Sequence, residues 1–347
     1  MTRPQRNIIE RQQCQLGTYT SSGGPGIGTG WIDPATGRPE IEHWIGDVED
    51  PSWVEAGTDG RILYAVSELT PDGLVSALRG PDLLNSVPTG EKPAHLAVHP
   101  SGRFLFTALY DGGGVVVHPI EPDGSVGPAG DRHEHAAAAR PGEVAHAHQI
   151  VIDPIGDDVL VVDLGTDSIH RYRLDPTTGR LSATGRTRLA AGSGPRHLAF
   201  HPSGSHAYVA GELDSTVTVC ARTDDTLVPG AVFPALPDGV DDGGRNYPGE
   251  ILVSADGRFV YLSNRGSNTI AVFAIGTDPG DLTLLAAPSA AGDWPRHLAI
   301  DRTGRWLYCA NERSGDLTWF PLDPQTGQPG PPAGRLAVPG IAQFRLG

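Results

Sequence analysis

Short apolar segments alternate with polar turns along the whole chain, and this arrangement returns about every fifty residues. Each copy contains a Pro-x-His-Leu-Ala type of segment, a short turn that ends in glycine, and two further apolar runs separated by polar residues. Runs such as FLFTAL, YVAGEL and FVYLSN are rich in β-branched and aromatic residues, which favour strands. The turn glycines are Gly60, Gly102, Gly156, Gly204, Gly257 and Gly304. Because long helical periodicity is absent, the pattern predicts an all-β chain.

A repeat of this length with strand-like content is typical of the blade of a β-propeller. We predict an all-β, seven-bladed β-propeller with four antiparallel strands per blade. Six copies are clear, and residues 338–342 together with residues 16–19 and 28–41 resemble a seventh copy divided between the two ends of the chain. Pairing of the N- and C-terminal strands would close the ring and remove two sheet edges. Six or eight blades remain alternatives.

The repeat favours a single domain over residues 1–347, with residues 1–13 as a loosely ordered N-terminal segment. The net charge of −15 argues against nucleic acid and anionic membranes as partners. No apolar stretch is long enough to span a bilayer, and the N-terminus lacks the apolar core of a signal peptide. The three cysteines have no metal-binding spacing. We therefore expect a cytoplasmic monomer, since a closed ring has no edge that must pair.

The symmetry of the repeat also predicts where a functional site lies. Adjacent strands of a blade run antiparallel, so the start of the first strand and the end of the second lie on one face of the ring, near its axis. Immediately before the His of Pro-Arg-His, the copies carry Ser52, Ala94, His148, Arg196, Gly249 and Arg296. The next position carries Trp53, His95, Gln149, His197, Glu250 and His297. The end of the second strand carries Glu68, Tyr110, Leu164, Glu212, Arg265 and Glu312.

A packing role tends to repeat one residue type, so we interpret His95, His197 and His297 as structural residues that bond loop backbone. The other two positions vary from blade to blade but are often charged, as a site for an asymmetric ligand requires. The candidate catalytic residues are His148, Glu212, Arg196 and Arg265. Guanidinium groups bind carboxylates or phosphates and stabilise an oxyanion, while imidazole and carboxylate groups move protons. This chemistry suits the opening or closing of a lactone; the alternative is a structural ion pair between Arg196 and Glu212.

The segments AHAHQIVIDP, GPRHLAFHPSG, VAGELDSTVTV and SADGRFVYLSNRGSNTIAVF resemble the lactonase-type seven-bladed propeller family. That family includes propeller 6-phosphogluconolactonases and carboxy-muconate cyclases. In the cyclase branch the proposed active-site residues are a His, two Arg and a Glu, which by motif fall on His148, Arg196, Arg265 and Glu212. The resemblance implies no metal or organic cofactor. The chain departs from the family pattern around Arg140, where Pro141 follows in place of the usual Gln, so we expect a reshaped loop beside the basin.

Further residues are candidates for binding the substrate: Arg296, Glu68, Tyr110, Glu312, Trp294 and His146. Trp294 would either stack on a ring-shaped substrate or pack between blades. The cluster of His133, His135, His146 and His148 suggests a metal site, but a solvated loop with one functional histidine is the preferred interpretation. Asp163 and Asp167 in DLGTD suggest calcium, and a turn between strands explains them more simply.

Three functions are consistent with these residues. The first is a cofactor-independent lactonase that acts on a small anionic lactone, with 6-phosphogluconolactone as the default substrate by resemblance. The second is a cyclase or isomerase that forms a lactone from a carboxylate by the reverse use of the same groups. The third is a non-catalytic binding propeller, since the fold alone proves no chemistry.

Overall fold

The structure is a computed structural model that describes residues 11–135, 143–224, 226–239 and 244–347. The described residues form seven four-stranded sheets in which all neighbouring strands are antiparallel. The innermost strand of each sheet contacts the innermost strands of the sheets on either side, so the sheets follow one another around a central axis. The predicted seven-bladed β-propeller with four antiparallel strands per blade is confirmed. No helix among these residues is long and apolar enough to cross a membrane.

The strands are numbered in chain order, and a short 3-10 helix over Thr20–Ser22 follows the first of them. Blades 1 to 4 contain, in chain order, β1 (Gln12–Thr18), β2 (Ile27–Ile32), β3 (Pro39–Ile45), β4 (Val54–Ala56), β5 (Ile62–Ser67), β6 (Leu74–Arg79), β7 (Asp82–Pro88), β8 (Pro93–Val98), β9 (Phe104–Leu109), β10 (Gly114–Pro119), β11 (Asp131–Glu134), β12 (Ala147–Ile152), β13 (Asp158–Asp163), β14 (Ser168–Leu174) and β15 (Leu181–Arg188). Blades 5 to 7 contain β16 (Pro195–Phe200), β17 (His206–Gly211), β18 (Thr216–Thr223), β19 (Thr226–Pro234), β20 (Tyr247–Val253), β21 (Phe259–Arg265), β22 (Thr269–Ile275), β23 (Leu282–Ala286), β24 (Pro295–Ile300), β25 (Trp306–Asn311), β26 (Asp316–Pro321) and β27 (Gly334–Ala337). The last strand, β28 (Ile341–Leu346), returns to blade 1 as its innermost strand.

The two ends of the chain close the ring, as the sequence predicted. Strand β28 pairs antiparallel with β1, which places Cys14 opposite Leu346 and Leu16 opposite Phe344. This pairing removes the free edges that an open ring would expose. Most of the expected loosely ordered segment 1–13 lies outside the described residues; its residues 12 and 13 pair with Ile32 and Trp31 in the sheet of blade 1.

The hydrophobic core lies in the wedges between neighbouring blades. Between blades 3 and 4, Phe106, Ile150 and Val161 belong to one buried cluster, and the wedge where the ring closes contains Tyr308 and Phe344. Burial of this apolar surface stabilises the fold and fixes each blade against the next. The innermost strands are therefore held in place around the axis, where the candidate residues lie.

The turn glycines end the hairpins on the face opposite the candidate site. At Gly204 the backbone has φ 70°, in the left-handed region that glycine adopts without a steric penalty. A Cβ atom at this position would lie 2.0 Å from Cδ1 of Ile155, so the Ile155 side chain would have to shift to admit one. This residue thus marks the tight turn from β16 to β17, which returns the chain toward the site.

Candidate active site

A β-bulge brings consecutive side chains of the innermost strands to the axis. In β16, Pro195 lies opposite Gly211 and His197 lies opposite Ala210, so Arg196 is the inserted residue. A regular strand would send Arg196 and His197 to opposite faces, whereas a bulge re-aims one of them. The inserted residues of the other strands with this geometry are Ala94, His148, Arg296 and Ala342. The bulge explains how two adjacent positions of the repeat both contribute side chains to one site.

Two buried arginines share the carboxylate of Glu212. Oε2 of Glu212 lies 3.3 Å from Nε of Arg196 and 2.7 Å from Nη2 of Arg265. Arg196 donates through Nη1 to the carbonyl of Gly249 at 2.9 Å, which fixes its guanidinium plane. The ion pair between Arg196 and Glu212, which the sequence offered as a structural alternative, is therefore present. Arg265 joins it as a second guanidinium on the same carboxylate. Three of the four candidate catalytic residues are in direct contact.

Backbone carbonyls hold Arg265 in the same way. Its Nε donates to the carbonyl of Tyr247 at 3.1 Å, and its Nη2 donates to the carbonyl of Pro248 at 3.0 Å. Burial, and after it the positive charges of Arg265 and Arg296, lower the pKa of Arg196 to about 9. The site therefore concentrates positive charge at fixed positions, which is the arrangement that stabilises a developing anion.

His148 completes the set on the wall of a narrow axial cavity. The cavity volume is about 10 Å³, roughly the room of one water molecule. Its lining includes the side chains of His148, Arg196 and Arg296. Nδ1 of His148 lies 3.1 Å from Nε2 of His197. Burial, and after it the charge of Arg196, holds the pKa of His148 well below its ordinary value, so the imidazole is neutral near pH 7.

Tyr110 and His146 flank His148. The rings of Tyr110 and His146 stack with centroids 4.4 Å apart, and the ring of Tyr110 meets His148 edge-on at 5.7 Å. His146 donates through Nδ1 to the backbone carbonyl of Tyr110 at 2.9 Å, and its backbone N–H donates to Asp163 at 3.0 Å. Both candidate binding residues therefore lie beside the candidate base rather than on a separate surface.

Arg296 lies among carboxylates on the other side of the axis. Its Nη1 is 3.2 Å from Oε2 of Glu312, and its Nη2 is 3.7 Å from Oε2 of Glu68. Tyr19, which the sequence analysis did not select, donates its hydroxyl to Glu68 at 2.7 Å and places its ring 5.4 Å from the guanidinium of Arg296. The structure thus brings Arg296, Glu68 and Glu312 together, in a group in which two carboxylates surround one guanidinium.

Trp294 packs against arginines at the rim of the site. Its ring centroid lies 3.3 Å from the guanidinium carbon of Arg313 and 5.7 Å from that of Arg265. Tyr247 approaches the same ring with centroids 5.8 Å apart. Trp294 therefore supports Arg265 from the side, and its half-buried position leaves part of the ring exposed at the rim.

Of the three histidines interpreted as structural residues that bond loop backbone, His95 contacts backbone, but that of a strand and not of a loop. Nδ1 of His95 accepts the backbone N–H of Ile150, in the next blade, at 3.4 Å. His197 and His297 instead contact the carboxylate of Glu250, at 3.0 Å and 3.3 Å. Glu250 is 4% exposed and was not among the candidate residues. The signal that could have identified it is the presence of a carboxylate where three other copies carry histidine.

The four clustered histidines do not converge on one point. His133 contacts Asp131 at 3.3 Å, whereas His135 lies 2.6 Å from Asp163. Another group could in principle hold a metal ion: His135, Asp163 and His170 are buried, with ligand atoms within 4.8 Å of one another. The rings of His135 and His170 stack face to face at 3.7 Å, so their in-plane lone pairs do not point toward a common centre. A metal ion there would require one ring to turn.

The two aspartates of DLGTD make the contacts of turn residues. Oδ1 of Asp163 accepts the backbone N–H of Thr166 at 2.9 Å. Asp167 accepts the N–H groups of Gly192 and Gly194, both at 2.9 Å. These bonds support the interpretation as a turn. The segment expected to be reshaped relative to the family, which contains Arg140 and Pro141, lies outside the described residues.

The chain is similar in sequence and structure to proteins of one known family. A family model described as "Lactonase, 7-bladed beta-propeller" matches residues 13–344. The 6-phosphogluconolactonase of Bacillus subtilis (strain 168) is 33% identical over 327 residues, which cover 90% of this chain and 92% of the relative. The 6-phosphogluconolactonase of Pectobacterium carotovorum subsp. carotovorum (strain PC1) is 34% identical over 250 residues, or 71% of each chain. The solved structure of a periplasmic gluconolactonase from Pseudomonas aeruginosa matches with a TM-score of 0.88 and 29% identity, and the match covers 97% of this chain and 99% of that chain.

Proposed function

We propose that this chain, which belongs to the lactonase family of seven-bladed β-propellers, hydrolyses the lactone of an acidic sugar, with 6-phosphogluconolactone as the first candidate substrate. Two relatives that cover at least two thirds of the chain carry the name 6-phosphogluconolactonase. We further propose that side chains alone supply the catalytic groups.

The observation that carries the proposal is the pair of buried arginines, joined through Glu212, beside a neutral buried histidine. Arg196 lines the axial cavity together with His148, so we assign it to the carbonyl oxygen of the lactone. Arg265 lies further out, against Trp294 and Tyr247, and we assign it to the acidic group of the substrate. Each guanidinium has five N–H donors, and the protein hydrogen bonds of Arg196 and Arg265 use only part of them.

The reaction requires one proton transfer in each direction. His148 accepts a proton from water, and the resulting hydroxide adds to the lactone carbonyl carbon. Negative charge that develops on the carbonyl oxygen is stabilised by Arg196. The bond from the carbonyl carbon to the ring oxygen then breaks, and His148 returns its proton to the departing alkoxide. The products are the hydroxyl and the carboxylic acid of the sugar acid, and the carboxylic acid then loses its proton to solvent.

We assign Glu212 a positioning role and not proton transfer. Its carboxylate contacts the two arginines rather than His148, so we assign it to holding both guanidinium groups in place. Arg296 is engaged by Glu68 and Glu312, so we assign it to shaping the cavity wall and not to the first contact with the substrate anion.

The test is the rate of hydrolysis of 6-phosphogluconolactone and of unphosphorylated gluconolactone, with spontaneous hydrolysis subtracted. We expect the parent to prefer the phosphorylated lactone, and His148→Gln and Arg196→Lys to lose about 10²-fold in kcat/KM. The matched control is Arg61→Ala, an exposed arginine beside the turn glycine Gly60 on the opposite face. A parent rate equal to the spontaneous rate on both lactones would overturn the proposal, and lactone formation from an open-chain acid would then favour the cyclase alternative.

We also propose a monomer in a reducing compartment such as the cytoplasm. Support comes from the three cysteines, which are buried and free, and from the closed sheet of blade 1. A molar mass from light scattering near the 36.5 kDa of one chain checks the first part. Fractionation of the native host checks the second, with recovery in the periplasm as the contrary outcome.

A further inference from the structure

We propose that Glu250 and His197 are positioning residues that set the tautomer of His148, so that Nε2 of His148 carries the lone pair that accepts a proton. The catalytic consequence rests on the proposed function, in which His148 is the base. The hydrogen-bond chain itself rests only on the geometry of three buried side chains.

The three side chains form a continuous chain of short contacts. The two carboxylate oxygens of Glu250 lie 3.0 Å and 3.1 Å from Nδ1 of His197. Nε2 of His197 lies 3.1 Å from Nδ1 of His148. All three residues are buried, which strengthens these contacts relative to the same contacts in bulk water.

With Glu250 ionised, the direction of each hydrogen bond in the chain follows. An ionised carboxylate only accepts hydrogen bonds, so Nδ1 of His197 carries the hydrogen that Glu250 receives. A neutral His197 then accepts at Nε2, and Nδ1 of His148 donates to it. A neutral His148 with hydrogen on Nδ1 has its lone pair on Nε2. That nitrogen is the one left to accept a proton from water.

Neighbouring groups stabilise the ionised state of Glu250 against the effect of its burial, and the surroundings of His197 keep its ring neutral. Glu250 also receives the backbone N–H of Ile251 at 3.2 Å, and Nε2 of His297 lies 3.3 Å from its other oxygen. Burial raises the pKa of Glu250, and His297 and Arg196 oppose that rise. Burial, and after it the charge of Arg196, holds the pKa of His197 well below its ordinary value, which keeps its ring neutral.

The position of the repeat that holds His197 in blade 5 has a different role in other blades. Gln149 accepts the backbone N–H of Leu198 at 2.8 Å, and Gln343 accepts that of Val54 at 2.7 Å. These bonds tie one blade to the next. At His197 the bond to the next blade is made to a carboxylate instead, and the second ring nitrogen of His197 faces His148. Because His197 contacts a carboxylate and not a backbone N–H, its other ring nitrogen is linked to the candidate base His148.

The experiment is nitrogen NMR of protein labelled with ¹⁵N-histidine, at about pH 7, with the signals of His148 assigned from their loss in His148→Gln. We expect the parent to show a protonated Nδ1 and an unprotonated Nε2 in His148. In Glu250→Gln the amide can donate to Nδ1 of His197 and reverse the chain, so we expect hydrogen on Nε2 of His148. We also expect kcat to fall about 10²-fold with KM within about threefold, and Glu250→Asp to recover part of kcat.

The matched control is His95→Gln. His95 lies in blade 3, next to the blade of His148, and the equivalent positions 149 and 343 of the repeat already carry glutamine. This variant should leave both the His148 tautomer and kcat unchanged. Hydrogen on Nε2 of His148 in the parent would overturn the inference. If the parent shows the expected tautomer but hydrolyses no lactone, the proposed function fails and the positioning chain stands. The parent spectrum decides the question even if Glu250→Gln does not fold.

Discussion

Two sides of the propeller axis use one position of the repeat in different ways. In blades 1, 3 and 4 the side chain that follows the inserted residue of the bulge accepts a backbone N–H from the next blade. The acceptors are Gln343, His95 and Gln149. In blades 5, 6 and 7 the position holds His197, Glu250 and His297, whose side chains contact one another.

The difference shows how a symmetric scaffold supports an asymmetric site. On the first side each side chain satisfies a buried backbone donor, which would otherwise cost about 1–3 kcal/mol. On the second side Glu250 accepts the backbone N–H of Ile251 within its own strand, and the side chains also contact one another next to Arg196. We infer that the first side holds blades together and that the second side supports chemistry. Each prediction below changes one side and measures both stability and activity.

The largest effect is expected from Arg265→Ala. This change removes a guanidinium that contacts Glu212 and carries the assigned substrate anion, so kcat/KM should fall by about 10²–10³-fold. The measurement is steady-state lactone hydrolysis, with Arg258→Ala on the turn between β20 and β21 as the control, since Arg258 pairs with Asp256 at an exposed site. Activity within threefold of the parent would remove Arg265 from the site.

The pH dependence of kcat/KM is the next largest effect. The pKa of His148 is held well below its ordinary value, so the base stays neutral and activity should persist below pH 6.5. On the alkaline side, Arg196 loses its charge as the pH rises through its pKa of about 9, and the rate should fall tenfold per unit above that. The measurement is the pH–rate profile with spontaneous hydrolysis subtracted. An acid limb centred near 6.5 would show that His148 is solvated.

The parts of this picture that the sequence predicts are those that the repeat encodes locally. Alternating strands and turn residues such as Gly204 identify the blades, and the order of strands within a blade places Arg196, Glu212 and Arg265 on one face. The contacts between blades were not predictable in the same way. Glu250 meets His197 from the next blade because both innermost strands approach the axis, and the repeat alone gives neither the approach nor the bulge at Arg196. The sequence therefore predicted that these candidate residues lie together, but it did not predict the contact between His197 and Glu250.

A change on the first side, in blades 1, 3 and 4, should lower stability and leave activity unchanged. Gln149→Leu keeps the approximate size of the side chain but leaves the N–H of Leu198 without its acceptor. We expect a loss of about 1–3 kcal/mol in the free energy of unfolding and a kcat/KM within twofold of the parent. The measurement is denaturant unfolding combined with lactone hydrolysis. A tenfold loss of activity without a loss of stability would contradict the division between the two sides.

The smallest expected effect concerns acid stability. Burial, and after it the charges of His197 and His297, holds the pKa of His95 well below its ordinary value. The unfolded chain therefore binds a proton at His95 that the folded protein does not, and stability falls as the pH drops below about 6.5. His95→Gln removes this group and keeps an acceptor for the N–H of Ile150. Between pH 7.5 and 5.5 the variant should lose about 1 kcal/mol less of its unfolding free energy than the parent, as measured by denaturant titration at both pH values. Equal losses in the two proteins would mean that His95 is protonated in the folded state, which would place a positive charge beside His197 and weaken the argument that its ring is neutral.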